Sequence, residues 1–307
     1  MISRRLVRIK AMHIYYSYLQ NNDDINSQKV WNNLEQSLNK SYELYISLHC
    51  LLIQICDYAY DRIEIKKNKY LPTQEDLKPN TKFIDNFIFE SIRKEKTIKK
   101  ILANNKYNWS DCNEIIKDIW NKIEKSEFYQ SYMNNSDFNQ KDDVKIINSI
   151  INEIIINNER IDEYIEEKSV FWNDELEFLL GNIINSIGKI KNNDNVYSLL
   201  PIFKNEDDEI FARELITKCV AHTIAYDEII SASLKKWELE RIAFLDNIIL
   251  HLALTEIIEM PDIPISVTIN EWLDISKCYS TEKSSKFING VLDKIYQDLK
   301  NERKIYK

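Results

Sequence analysis

Four cations open this chain. In MISRRLVRIK, Arg4, Arg5, Arg8 and Lys10 stand without an acid among them. On a helix Arg4 and Arg8 are i,i+4 neighbours and Arg5 and Arg8 are i,i+3 neighbours, so the spacing predicts one guanidinium cluster. Guanidinium forks bind phosphate bidentately, and a helix N-terminus attracts anions as well. The same partial positive charge makes four cations at that end destabilising unless an anion compensates. A phosphate backbone is one such anion; a solvated basic tail is the other reading these residues allow. No catalytic chemistry stands beside them. The sequence has no glycine-rich phosphate loop, no Ser or Cys elbow and no His pair at metal spacing. His13, His49, His222 and His251 fall within helical patterns and read as interfacial or core-edge residues. Asp162/Glu163 and Asp227/Glu228 are adjacent, so on a helix they diverge by about 100°. The facing Glu-x-x-His motifs of a carboxylate-metal bundle are absent. The expectation is a binding protein with no catalytic residue, cofactor or metal.

The elements that must position the cations read as helices. Only 3 glycines and 5 prolines occur in 307 residues, and tight turns need those types repeatedly. Large apolar residues recur at three- and four-residue spacing through VWNNLEQSLNKSYELYISLHCLLIQICDYAYDRIEI, which predicts a long helix or helical pair. NKYLPTQEDLKPNTKF, with Pro72 and Pro79, reads as a loop. Helical patterns resume over Phe83–Leu102, Cys112–Tyr129, Asp143–Asn157, Ile161–Glu167, Asp174–Ile190, Asp208–Ala221, Tyr226–Ser233, Glu240–Glu259, Ile265–Cys278 and Ser284–Asn301. Ser284 or Ser285 is the predicted cap of the last helix, and Ser266 the predicted cap of the one before. The fold class is all-α.

Composition narrows the setting. Hydrophobic residues make up 44% and charged residues 29%, with a net charge of −8, which argues against a protein that coats nucleic acid over its whole surface. The odd cysteine count, without metal or redox spacing, points to a reducing, cytoplasmic compartment. No apolar run reaches the roughly 18 residues that span a bilayer, so the expectation is a soluble protein with no membrane partner.

The chain also matches itself. Residues 141–184 lie over 206–249 without a gap, and Asp142, Asp143, Ile151, Asp162, Glu163, Trp172, Glu175, Asn182, Ile183 and Ile184 meet identical residues. Biased composition inflates such matches; taken at face value, two helical units stand in tandem. The predicted organisation is an arginine-rich helix at 1–20, a helical insertion at 21–140, a first repeat unit at 141–200 and a helical core at 205–307.

RRLVRIKAMHIYYSY resembles the first helix of the NusB family of transcription antitermination factors. The stretch from about 207 onward is similar too, above all in DIPISVTINE and KFINGVLDKI. The chain is thereby identified as a NusB-type helical bundle with a large insertion, in the manner of long, Bacteroidetes-type forms. The resemblance implies binding of boxA-type single-stranded RNA together with a small-subunit ribosomal protein, NusE, within an antitermination complex on RNA polymerase. It places RNA contacts on Arg4, Arg5, Arg8, Lys283, Ser284, Lys286, Phe287 and Asn289. Cations suit phosphate, Phe287 could stack on a base, and Asn289 could bond a base edge. Lys283 departs from the acidic residue usual there, which should strengthen RNA binding, while His13 and Tyr15 replace a common Gln and Leu.

The protein partner is expected near Tyr16, Glu240 and Asp246, an acidic surface for a basic ribosomal protein. In the upstream repeat Gly181 stands where Asp246 would, so that copy should lack the partner site. Gly290, inside an otherwise amphipathic helix, is explained by close approach of another helix or of the RNA backbone; a helix end just past Asn289 is the other reading. From spacing alone Phe287 could be a core aromatic, and Glu240 and Asp246 merely solvated. A helical scaffold that binds only proteins is the rival function. An RNA-modifying enzyme ranks last, because no cofactor loop follows a strand. The expected protein is monomeric or weakly associating.

Overall fold

The computed structural model describes residues 1–20, 26–104, 107, 109, 112–135, 139–172, 175–190, 196–234 and 242–302. Among these, every regular element is a helix and no strand occurs. The chain divides into two compact units, residues 1–38 with 202–307, and residues 39–201.

In chain order the helices are α1 (Arg4–Gln20), α2 (Ser27–Lys67), α3 (Gln74–Leu77), α4 (Phe87–Lys94), α5 (Lys96–Ala103), α6 (Asn113–Lys125) and α7 (Glu127–Asn134). Then come α8 (Gln140–Ser149), α9 (Glu159–Lys168), α10 (Leu176–Ile187), α11 (Glu206–Ala221), α12 (Thr223–Ser233), α13 (Phe244–Glu259), α14 (Ile265–Tyr279) and α15 (Glu282–Asn301). A π-helical turn, Ile150–Ile155, continues α8. α2 runs 41 residues as one helix, because nothing in it breaks the backbone ladder.

The unit holding both chain ends is built around α13. Ile248 through Ile257 are all buried, the polar His251, Thr255 and Glu256 among them. α1, α11, α12, α14 and α15 all pack on it. The first turns of α2 join this unit through Lys10, whose ammonium donates to the Ser37 hydroxyl at 3.1 Å.

The other unit is held by aromatic side chains with backbone partners. Trp109 donates from Nε1 to the Ser47 carbonyl at 2.9 Å, and Trp172 to the Lys40 carbonyl at 2.7 Å. His49 is buried between the Tyr45 carbonyl at 2.7 Å and the Tyr197 hydroxyl at 2.5 Å. A carbonyl only accepts, so Nδ1 carries the proton and Nε2 accepts from Tyr197.

Several predicted boundaries shift for local reasons. The pattern over Phe83–Leu102 divides at Glu95, whose carboxylate caps α5 by accepting from Thr97 and Ile98. The pattern over Cys112–Tyr129 divides at Ser126, the cap of α7. A single helical turn, α3, interrupts the proline loop because Thr73 and Asp76 form a reciprocal capping box. α14 starts at Ile265 after Pro264, with no side-chain cap, so Ser266 is not its cap.

Candidate nucleic-acid interface

The candidate residues described here lie in the unit of residues 1–38 and 202–307. α1 has no acid in its first turn, and carboxylates from other helices supply the compensation. Arg4 donates from Nε to Asp208 at 2.8 Å. Its guanidinium lies 5.1 Å from the Phe211 ring centre, and that of Arg8 lies at the same distance. Arg8 is only 3% exposed; it grips Glu256 with two hydrogen bonds of 2.7 and 2.8 Å. The buried Glu256 also accepts from Trp272 Nε1 at 2.8 Å and from the Thr268 hydroxyl at 3.2 Å. This network ties α1, α13 and α14 together.

The predicted cluster of three surface guanidinium groups is therefore corrected. Arg8 is buried on the inward side of α1, whereas the Arg4 side chain, though paired with Asp208, stays 40% exposed, close to the 44% of Arg5. Arg5 stands 3.7 Å from Asp274, which Lys277 also pairs at 2.8 Å. The hydrogen bond and charge of Lys277, with a smaller contribution from Arg5, hold the Asp274 carboxyl below its ordinary range. Arg5 is the exposed cation at this end, Arg4 is half engaged, and Arg8 is a core residue.

α15 presents the second group. Its cap is Thr281, whose hydroxyl oxygen accepts from the Ser284 N–H at 3.2 Å, not Ser284 or Ser285. Both serines are buried, and the Ser284 hydroxyl is bonded to that of Thr281 at 3.0 Å, which gives Ser284 a part in the cap. Lys283 and Lys286 are exposed, while Phe287 and Asn289 are half-buried. Asn289 donates to Asp293 at 3.3 Å. Gly290 is exposed, and a Cβ placed there would meet nothing within 4 Å. The expected neighbouring helix is not there, and α15 continues past it to Asn301.

Of the predicted partner residues, Tyr16 is 41% exposed, and its ring meets the equally exposed Phe244 edge-on at 5.1 Å. Asp246 is buried and accepts from the Ser280 hydroxyl at 2.8 Å, which corrects its placement on an acidic surface. Glu240 lies outside the described residues. Tyr15 joins a buried chain: its hydroxyl bonds His251 Nδ1 at 2.8 Å, and His251 Nε2 bonds Asp227 at 2.9 Å. Burial alone would raise the Asp227 carboxyl; the hydrogen bond and charge of His251, together with Asn247, outweigh it and hold that group low.

Sequence reasoning missed Asp208, Glu256 and Asp274, the carboxylates that claim the arginines. Only Asp208 left a signal, in the acidic first turn of α11. Phe244, the aromatic neighbour of Tyr16, left none. Among the described residues no group of three or more potential ligands gathers at a metal site, and no helix is long and apolar enough to cross a membrane.

The family model described as "NusB family" matches residues 179–297. The transcription antitermination protein NusB of Bacillus velezensis is 38% identical over 96 residues, 31% of this chain and 74% of that protein. Its counterpart from Oceanobacillus iheyensis is 40% identical over 92 residues, 30% of this chain and 73% of that protein. The chain belongs to the NusB family. The NusB of Thermodesulfovibrio yellowstonii is 42% identical over 95 residues, 31% of this chain but only 63% of that relative's own length. No solved structure matches. The NusB match runs from within α10 into α15, so α1 and residues 39–178 lie outside it.

Proposed function

We propose that this NusB-family chain is a transcription antitermination factor that binds boxA-type single-stranded RNA without being an enzyme. One observation carries the reading: Lys283, Lys286 and the bare Gly290 share the exposed face of the first turns of α15. Cations at a helix N-terminus suit phosphate, Phe287 beside them suits a base face, and a residue without Cβ admits a backbone closely. Arg5, which shares Asp274 of α14 with Lys277, adds a further exposed cation. Arg4 contributes in part, and Arg8 acts by holding α1 in place. The protein partner, a basic ribosomal protein of the NusE type, contacts Tyr16 and Phe244, where an exposed aromatic pair offers an anchor. RNA polymerase then joins the complex in the cytoplasm.

The test is titration of a fluorescent boxA-type RNA with and without the ribosomal partner, comparing the wild type with a chain carrying R5A, K283A and K286A. Binding that tightens with the partner and is lost in the variant supports the reading. Binding indifferent to the three cations, or no binding, overturns it and leaves a protein-binding scaffold.

A further inference from the structure

The unit of residues 39–201 carries an apolar tip next to a cleft with an apolar wall and a charged rim. Tyr70 is 98% and Leu71 81% exposed, the highest values among large apolar side chains of the described residues. The turn bearing them is pinned. The Thr73 hydroxyl oxygen accepts from the Asp76 N–H at 3.1 Å, and the Thr73 N–H donates to the Asp76 carboxylate at 3.0 Å. Lys69 Nζ lies 3.3 Å from both oxygens of that carboxylate. Two large side chains are thus held out in water by a structured turn and forgo the burial that a folded-back loop would give them.

The cleft measures about 250 Å³, and its apolar wall is formed by Ile63, Phe83, Trp120, Tyr129 and Met133. Lys66 and Asp76 also line it, so tip and cleft share one neighbourhood. Trp120 is 5% exposed, and its indole N–H has no acceptor. On the rim, Arg62 and Glu75 are exposed, and neither has an ionic partner among the described residues.

We infer that this face is a self-association surface, on which Tyr70 and Leu71 of one protomer enter the cleft of a second copy across a two-fold axis. A knob and a hole lying side by side on one surface satisfy each other when that surface meets its own copy, and the contact closes at a dimer. The rim charges favour the same occupant. Arg62 faces the partner's Glu75 under the two-fold, and a rim of both signs complements itself, whereas a phosphate backbone calls for one sign. This surface is independent of the RNA reading.

The test is sedimentation velocity of the full chain from about 1 µM to about 100 µM, a range that captures a weak dimer. The wild type is expected to shift toward twice the protomer mass as concentration rises, and Y70S/L71S to remain a monomer throughout. R62E alone and E75R alone should each weaken association about tenfold, whereas mixing the two should restore it as a heterodimer with both charge contacts made. A wild type that stays monomeric at the highest concentration overturns the proposal. So does a dimer that survives Y70S/L71S, or a mixture no tighter than its components.

Discussion

Replacing Arg8 by Ala strips the buried Glu256 carboxylate of its bidentate partner. Leaving a buried charge unpaired costs about 3–5 kcal/mol, so R8A should lower unfolding free energy by that order in urea denaturation; a change below about 1 kcal/mol would mean the pair contributes little. R5A should leave stability within about 0.5 kcal/mol and instead reduce the salt dependence of RNA binding, by about 0.7 in slope for one lost phosphate contact to a single strand. His49 yields a pH prediction. Burial lowers its pKa from 6.5 to about 4, so below pH 6.5 the unfolded chain takes up a proton that the folded chain refuses. Its contribution is complete above pH 6.5 and is lost as pH falls toward 4, on the order of 3 kcal/mol. H49Q should flatten the dependence of stability on pH across that window; an unchanged slope would show that His49 is not the group responsible.

α15 combines a cap, a cationic face and an unexplained glycine. Gly within a helix costs about 0.5–1 kcal/mol relative to Ala. With nothing within 4 Å of the added Cβ, G290A should raise thermal stability by that order. On the proposed RNA reading it should also weaken RNA binding, because the methyl group enters the face assigned there to the phosphate backbone. A stabilised variant with unchanged affinity would place the RNA elsewhere. α13 and α15 were legible as helices from spacing, and the largely apolar run Ile248–Ile257 pointed to burial of α13, though not to the burial of Glu256 within it. The cap of α15 was not legible, since Thr281, Ser284 and Ser285 all carry a suitable hydroxyl. The turn geometry chose Thr281 and folded both serines inward.

For the whole molecule, a net charge of −8 coexists with the exposed cations Arg5, Lys283 and Lys286. Three phosphate contacts to a single strand predict a slope of about −2 in log K against log salt. A slope near zero, measured by RNA titration at four salt concentrations, would show that these cations make no phosphate contacts. The sequence by itself determined the helical class, because scarce Gly and Pro with three- and four-residue apolar spacing leave the backbone no other regular form. It also determined the family, through motifs contiguous in the chain such as DIPISVTINE and KFINGVLDKI. Only tertiary structure decided which cations remain in solvent. Arg8 is buried against Glu256 and Arg4 pairs with Asp208 while staying partly exposed, both partners more than 200 residues away, and Asp246 turns inward to Ser280. It also divided the chain at 38/39 and 201/202, where the reading from composition and repeats drew boundaries at 20/21, 140/141 and 200/205. Local periodicity reports which face of a helix is apolar. Which carboxylate neutralises a given arginine depends on what the packed helices bring within 3 Å, and no local pattern encodes that.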